Sequence, residues 1–244
     1  MGSYHGRYPQ LDACRGIAVL MMIWFHFFVD LAFLGLPGPD PFSGLLRIFG
    51  MLSTISFIGI AGISAHLKAE KTPGMMNQFS TFFKRGGELL LIGMGITIVT
   101  WWVMDGEGYV VFGILHLIGT ALILTPFLHR LNYTGLILAA ALILIAYTNL
   151  LPSGPLWLAW SGICPDDFYS VDYAPLIPWL SVFLIGLSAG RFLFPYGNPR
   201  CDLGAPGSFV LSLAHLGRHS LLIYLIHQPV LFLLIISVAK ISIG

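Results

Sequence analysis

The sequence is a succession of apolar blocks separated by short stretches of charge, glycine and proline. Each block is about 20 residues or longer, enough to cross a ~30 Å hydrocarbon core as a helix rising ~1.5 Å per residue. In lipid only helices and closed barrels satisfy their own backbone groups, so such blocks have few ways to fold. They fall near 12–35, 44–67, 85–104, 109–128, 133–151, 175–195 and 218–240. This pattern predicts an all-α, polytopic bundle of about seven spans, a single domain over 1–244. Of the 244 residues only 9% are charged, against about 25% in soluble domains, which excludes a water-soluble fold. A formal charge of +1 without any long basic run leaves no electrostatic footprint for nucleic acid.

Charge sets the orientation. With the N-terminus inside, Arg7, Arg15, Lys68, Lys71, Lys84, Arg85, Arg130, Arg191, Arg200 and Arg218 are cytoplasmic, and only Arg47 and Lys240 are outside. The opposite face collects Asp40, Asp105, Glu107, Asp166, Asp167 and Asp172 with Trp101, Trp102, Trp157, Trp160 and Trp179, an outer aromatic belt. Segment 152–174, broken by Pro and Gly, reads as an outer loop or re-entrant cap, and 196–217 as an inner interfacial segment. Cys14 and Cys201 fall inside and Cys164 outside, so no disulfide framework is expected. Gly59 and Gly62, Gly93 and Gly95, and Gly186 with Gly190 at GxxxG spacing read as helix-packing positions. No secretory cleavage signal follows the first block, and Gly6 stands where a myristoylation motif beginning at Gly2 wants Ser or Thr. A plasma or bacterial inner membrane is the expected location.

Ionisable groups inside spans are costly and mark functional candidates. His26 and Asp30, four apart, share a face of the first helix, where a carboxylate one turn away can hold an imidazole tautomer. His26 lies roughly 20 Å above the inner boundary, and His116, on a helix running inward, roughly 10 Å below the outer one, which puts the two at about one level. The last block carries Tyr224, His227 and Gln228 followed by Pro229, whose ring and missing N–H loosen the helix beside a polar cluster. His5, His66, His129 and His215 read as interfacial. No HExxH or paired-Cys spacing is present, and no metal is expected. Arg15, Lys84, Arg85 and Arg218 gather where three helices begin, a phosphate-binding mouth on the cytoplasmic side, although the charge asymmetry alone would also place them there. Asp12 can pair with Arg15, and Glu88 can neutralise a neighbour.

Several stretches carry a resemblance: Asp12-Ala13-Cys14-Arg15-Gly16, Phe57 to Ser64, Phe112-Gly113-Ile114-Leu115-His116, Asp172-Tyr173 through Pro178-Trp179, and Leu216 to Ser220 through Tyr224 and His227-Gln228-Pro229. In order and spacing the chain resembles small members of the heparan-alpha-glucosaminide N-acetyltransferase-like family, within the transmembrane acyltransferase group. The resemblance implies a membrane acyltransferase that takes an acyl group, acetyl above all, from cytoplasmic acyl-CoA to a hydroxyl or amine, often of a sugar, on the far side. It implies a CoA nucleotide held by Arg15, Lys84, Arg85 and Arg218, and an acceptor met by Tyr224, His227, Gln228 and Asp172. Lysosomal members of the family use a histidine in the outer loop after their first matching helix, and Gly35 to Phe42 contains none. The base is therefore placed at His26 with Asp30, or at His116, with direct transfer and an acyl-imidazole relay both open. Membrane lipid, acyl-CoA and an outer small-molecule or glycan acceptor are the expected partners, and a homo-oligomer is compatible with the sequence. The rival readings are a proton-coupled transporter using the intramembrane His and Asp groups, for which no internal repeat is seen, and an inactive binding subunit.

Overall fold

The structure is a computed structural model that describes residues 8–148 and 150–243, with side chains described as far as Val238. Arg7, His5, the Gly2 to Gly6 segment and the side chain of Lys240 lie outside the described residues. Among the described residues eight α-helices follow one another: α1 (Pro9–Phe33), α2 (Gly44–Glu70), α3 (Met75–Val103), α4 (Ile114–Leu128), α5 (Gly135–Tyr147), α6 (Leu176–Leu193), α7 (Ser208–Arg218) and α8 (Ser220–Ile243). Short 3₁₀ turns stand at His129–Thr134, Leu156–Ser161 and Pro195–Gly197. No strand occurs among the described residues.

The boundaries follow local chemistry. α1 opens with Pro9 in its first turn after an extended Tyr8, where the missing N–H costs nothing. α3 begins well before the expected residue 85, because no breaker stands between Gly74 and Lys84 and the helix continues beyond its apolar stretch. α4 starts only at Ile114 because the residues before it make other bonds. Val171 N–H donates to Gly108 O at 2.9 Å and Ala174 N–H to Phe112 O at 2.8 Å.

Among the described residues six helical stretches are long and apolar enough to span, with Ile114–Tyr147 counted as one. That stretch is broken at His129–Thr134, where Asn132 has φ 51° and ψ −136°. The chain turns back there, and by 171–174 it is bonded to the residues ahead of α4. The two short legs α4 and α5 thus account for the difference between six long spans and the seven expected. The protein is an integral, multi-pass membrane protein, and exposed Trp24, Leu91, Ile98, Ile137 and Leu233 are the side chains that lipid would cover.

Two compact units share the chain, Met1–Phe57 with Leu203–Gly244, and Ile58–Asp202, the division falling inside α2. In the first, the segment expected to lie at the inner interface is the helix α7, passing along α1 in the opposite direction. A Cβ on Gly16 would strike the Leu213 carbonyl, and one on Gly217 the Asp12 carbonyl. Ser53 of α2 donates to the Ala18 carbonyl of α1 at 3.0 Å.

In the second unit α2 and α6 meet through the predicted glycines. A Cβ on Gly62 would meet the Phe183 carbonyl, and one on Gly186 the Gly59 carbonyl. α3 and α4 close in the same way through Gly86 and Gly119. The loop 152–174 is folded on itself, Gly154 N–H donating to Cys164 O at 3.0 Å and the Tyr173 hydroxyl to Ala159 O at 2.7 Å. Burial and the neighbouring Cys164 thiol push the Tyr173 phenol above its usual range.

Candidate functional site

In the first unit the polar groups of α1 and α8 come together. The rings of His26 and His227 stand edge to face with centroids 4.9 Å apart. His26 Nδ1 is 2.9 Å from the Met22 carbonyl, and His227 Nδ1 is 2.7 Å from the Tyr224 carbonyl. A carbonyl only accepts, so each ring donates from Nδ1, and in the neutral imidazole Nε2 carries the lone pair. Asp30 is 2% exposed and accepts a hydrogen bond from Gln228 Nε2 through Oδ1. The amide must turn its nitrogen to the carboxylate, which leaves its oxygen facing elsewhere.

Three buried atoms then have no partner among the described residues: Asp30 Oδ2, Gln228 Oε1 and His227 Nε2. All three are hydrogen-bond acceptors when the carboxyl is ionised. Buried polar groups are ordinarily paired, so a cluster of acceptors inside an apolar bundle fits a guest rich in donors, such as a polyol or an amine. The sequence placed Asp30 behind His26. In the structure the Met22 carbonyl holds His26 Nδ1, and Asp30 engages Gln228 across the helix pair.

Arg15 and Arg218 lie at the other end of the same unit. Arg15 bonds Asp12 at 2.8 Å, the i, i+3 pair read from the sequence, and Arg218 Nε donates to its own helix at the Ala214 carbonyl, 3.3 Å away. The close approach of Gly217 to Asp12 brings the end of α7 beside the first turn of α1, so both cations belong to one surface region.

The remaining predicted residues sit in the second unit. His116 is 4% exposed, and its ring lies on Gly93, where a Cβ would be 2.9 Å from Cε1. Gly113 N–H donates to His116 Nδ1 at 3.2 Å, so the ring proton resides on Nε2, a buried donor with no partner among the described residues. This is the reverse of the His26 and His227 tautomers. Asp172 Oδ2 accepts the Ile114 N–H at 3.3 Å, at the positive end of α4. Lys84 and Arg85 are exposed, and Arg85 pairs with Glu88 at 3.0 Å.

Of the site residues read from the sequence, the fold joins His26, Asp30, Tyr224, His227 and Gln228 in one cluster. It joins His116 with Asp172 in another. The ring contact between His26 and His227 was not legible, because the residues are far apart in sequence and the rotation of α8 about its axis is a tertiary quantity. His66, read from the sequence as interfacial, is enclosed by protein. It is 1% exposed and bonded on both ring nitrogens.

Apolar helices with buried imidazoles and a buried carboxyl define an integral membrane protein that holds polar sites within its spans. A family model described as heparan-alpha-glucosaminide N-acetyltransferase, catalytic, matches residues 7–229. The chain belongs to this family of membrane acetyltransferases, and membership implies transferase activity. No curated protein and no solved structure matches the chain.

Proposed function

We propose that the protein moves an acetyl group from cytoplasmic acetyl-CoA to a hydroxyl or amine of a sugar-like acceptor at the outer side, with His26 as the base. Family membership supplies the reaction class. The observation that carries the assignment is the pairing of two Nδ1-anchored imidazoles with acceptor atoms that lack partners.

The acceptor O–H or N–H passes its proton to His26 Nε2 as its oxygen or nitrogen bonds to the thioester carbonyl carbon. When the C–S bond breaks, the imidazolium returns that proton to the departing CoA sulfur. His227 Nε2, Asp30 Oδ2 and Gln228 Oε1 accept the acceptor's other N–H and O–H groups, and Tyr224 lies against the His227 ring at 5.7 Å. His116 is the weaker candidate for the base because its Nε2 already holds the proton. Its Nε2–H makes the second unit's own polar cluster one that offers a donor, with Asp172 bonded to the start of α4. Arg15 and Arg218 of the first unit hold CoA phosphates.

The test is transfer of radiolabelled acetyl from acetyl-CoA to glucosamine by the full-length protein in lipid nanodiscs. His26→Ala is expected to lower kcat by roughly 10²–10⁴. Wild-type turnover in that variant overturns the assignment of the base. Proton-driven glucosamine flux in vesicles without CoA consumption overturns the reaction itself.

A further inference from the structure

Away from these clusters, the second unit draws three metal-ligating side chains together. His66 and Glu70 stand four apart on one face of α2, and His129 opens the turn that ends α4, 63 residues beyond His66. One ligand atom from each lies within 4.8 Å of the other two. His66 Nδ1 is 3.1 Å from His129 Nε2, and that nitrogen is 3.4 Å from Glu70 Oε1.

A tetrahedral cation with bonds of ~2.0–2.1 Å has ligands about 3.3 Å apart, close to both separations. The supporting bonds fit as well. His66 Nε2 lies 3.1 Å from the Phe194 carbonyl and must donate to it, so Nδ1 presents its lone pair to the other two groups. Ligating histidines characteristically anchor their second nitrogen on a carbonyl in this way. Arg191 Nη2 holds the His129 carbonyl at 2.8 Å, while its guanidinium also faces the Tyr133 ring at 5.8 Å.

We propose that His66 Nδ1, Glu70 and His129 Nε2 bind a divalent d-block cation of the zinc type, with water as the fourth ligand on the part-exposed Glu70 side. The cation ties the end of α2 to the end of α4, and through Phe194 and Arg191 to the end of α6. A simpler arrangement has His129 Nε2–H donating to His66 Nδ1 with no cation, and it makes different predictions.

The test uses tag-free full-length protein in detergent, stripped with a chelator and titrated with Co²⁺. One Co²⁺ per chain with the visible bands of a four-coordinate N/O site, displaced by Zn²⁺, is the expected result. Glu70→Gln should weaken Co²⁺ binding by about 10–100-fold, His66→Ala should abolish it, and Zn²⁺ should raise the Tm of wild type but not of Glu70→Gln. Should His66→Ala fail to fold, Glu70→Gln and the wild-type spectrum still decide. The exposed His215 and His219, with ring centroids 4.7 Å apart, are the rival ligands. No bound metal, octahedral spectra, unchanged binding in Glu70→Gln, or binding lost in His215→Ala each overturns the site.

Discussion

The chemistry of the first cluster turns on where single protons sit. Two imidazoles anchored through Nδ1 offer basic nitrogens, whereas His116, bonded as an acceptor through Nδ1, offers a donor. Gln228 is the hinge of this pattern, because among the described residues it gives the Asp30 carboxyl its hydrogen bond. Gln228→Leu should destabilise the protein by about 1–3 kcal/mol, since it leaves a buried carboxyl with neither oxygen paired. Adding Asp30→Leu should restore most of that loss, because removing both partners leaves nothing unpaired. Unfolding in detergent followed by circular dichroism measures both, and failure of the second change to rescue the first contradicts the pairing. The double variant should remain inactive in acetyl transfer.

Between elements, the glycines do the positioning. Gly217 and Gly16 let α7 and α1 approach backbone to backbone, and that approach sets Gly217, next to Arg218, against the Asp12 carbonyl. Gly217→Val puts a branched side chain against the Asp12 carbonyl and should cost about 1–3 kcal/mol as well as raise KM for acetyl-CoA. Gly95 is the contrast, since nothing lies within 4 Å of a Cβ built there. Gly95→Ala should leave activity unchanged and add up to ~1 kcal/mol, the helix-propensity difference between the two residues. Melting temperatures of the two variants check the sign. The Gly59, Gly62, Gly93, Gly186 and Gly190 set was legible as packing positions from spacing, whereas Gly95, read in the same way, meets no neighbour. Which helix each would meet was not, because a glycine leaves no pattern that names its partner.

Across the whole molecule, orientation rests on charge. Cys14, Cys164 and Cys201 are all free thiols, with Cys201 exposed and Cys164 half-buried in the 152–174 loop. A membrane-impermeant maleimide applied to intact cells should reach Cys164 and leave Cys201 unlabelled until the membrane is opened, when each is kept as a single cysteine. The opposite order reverses the topology and with it the side from which CoA enters. The expected seven legs against six long spans has a physical source. α4 and α5 are each too short to register as spans, and the reversal at Asn132 depends on a backbone conformation that hydropathy does not encode.

Sequence alone determined that this chain is a membrane-embedded helical protein with a few ionisable groups held in its spans, because lipid demands long apolar helices and makes each buried charge conspicuous. It also carried the family motifs. Tertiary structure alone decided which polar atoms of different segments meet: His26 with His227, Asp30 with Gln228, and His129 with His66 and Glu70. Those contacts depend on the rotation and depth of helices distant along the chain, set by glycine contacts and carbonyl bonds that no one-dimensional spacing contains.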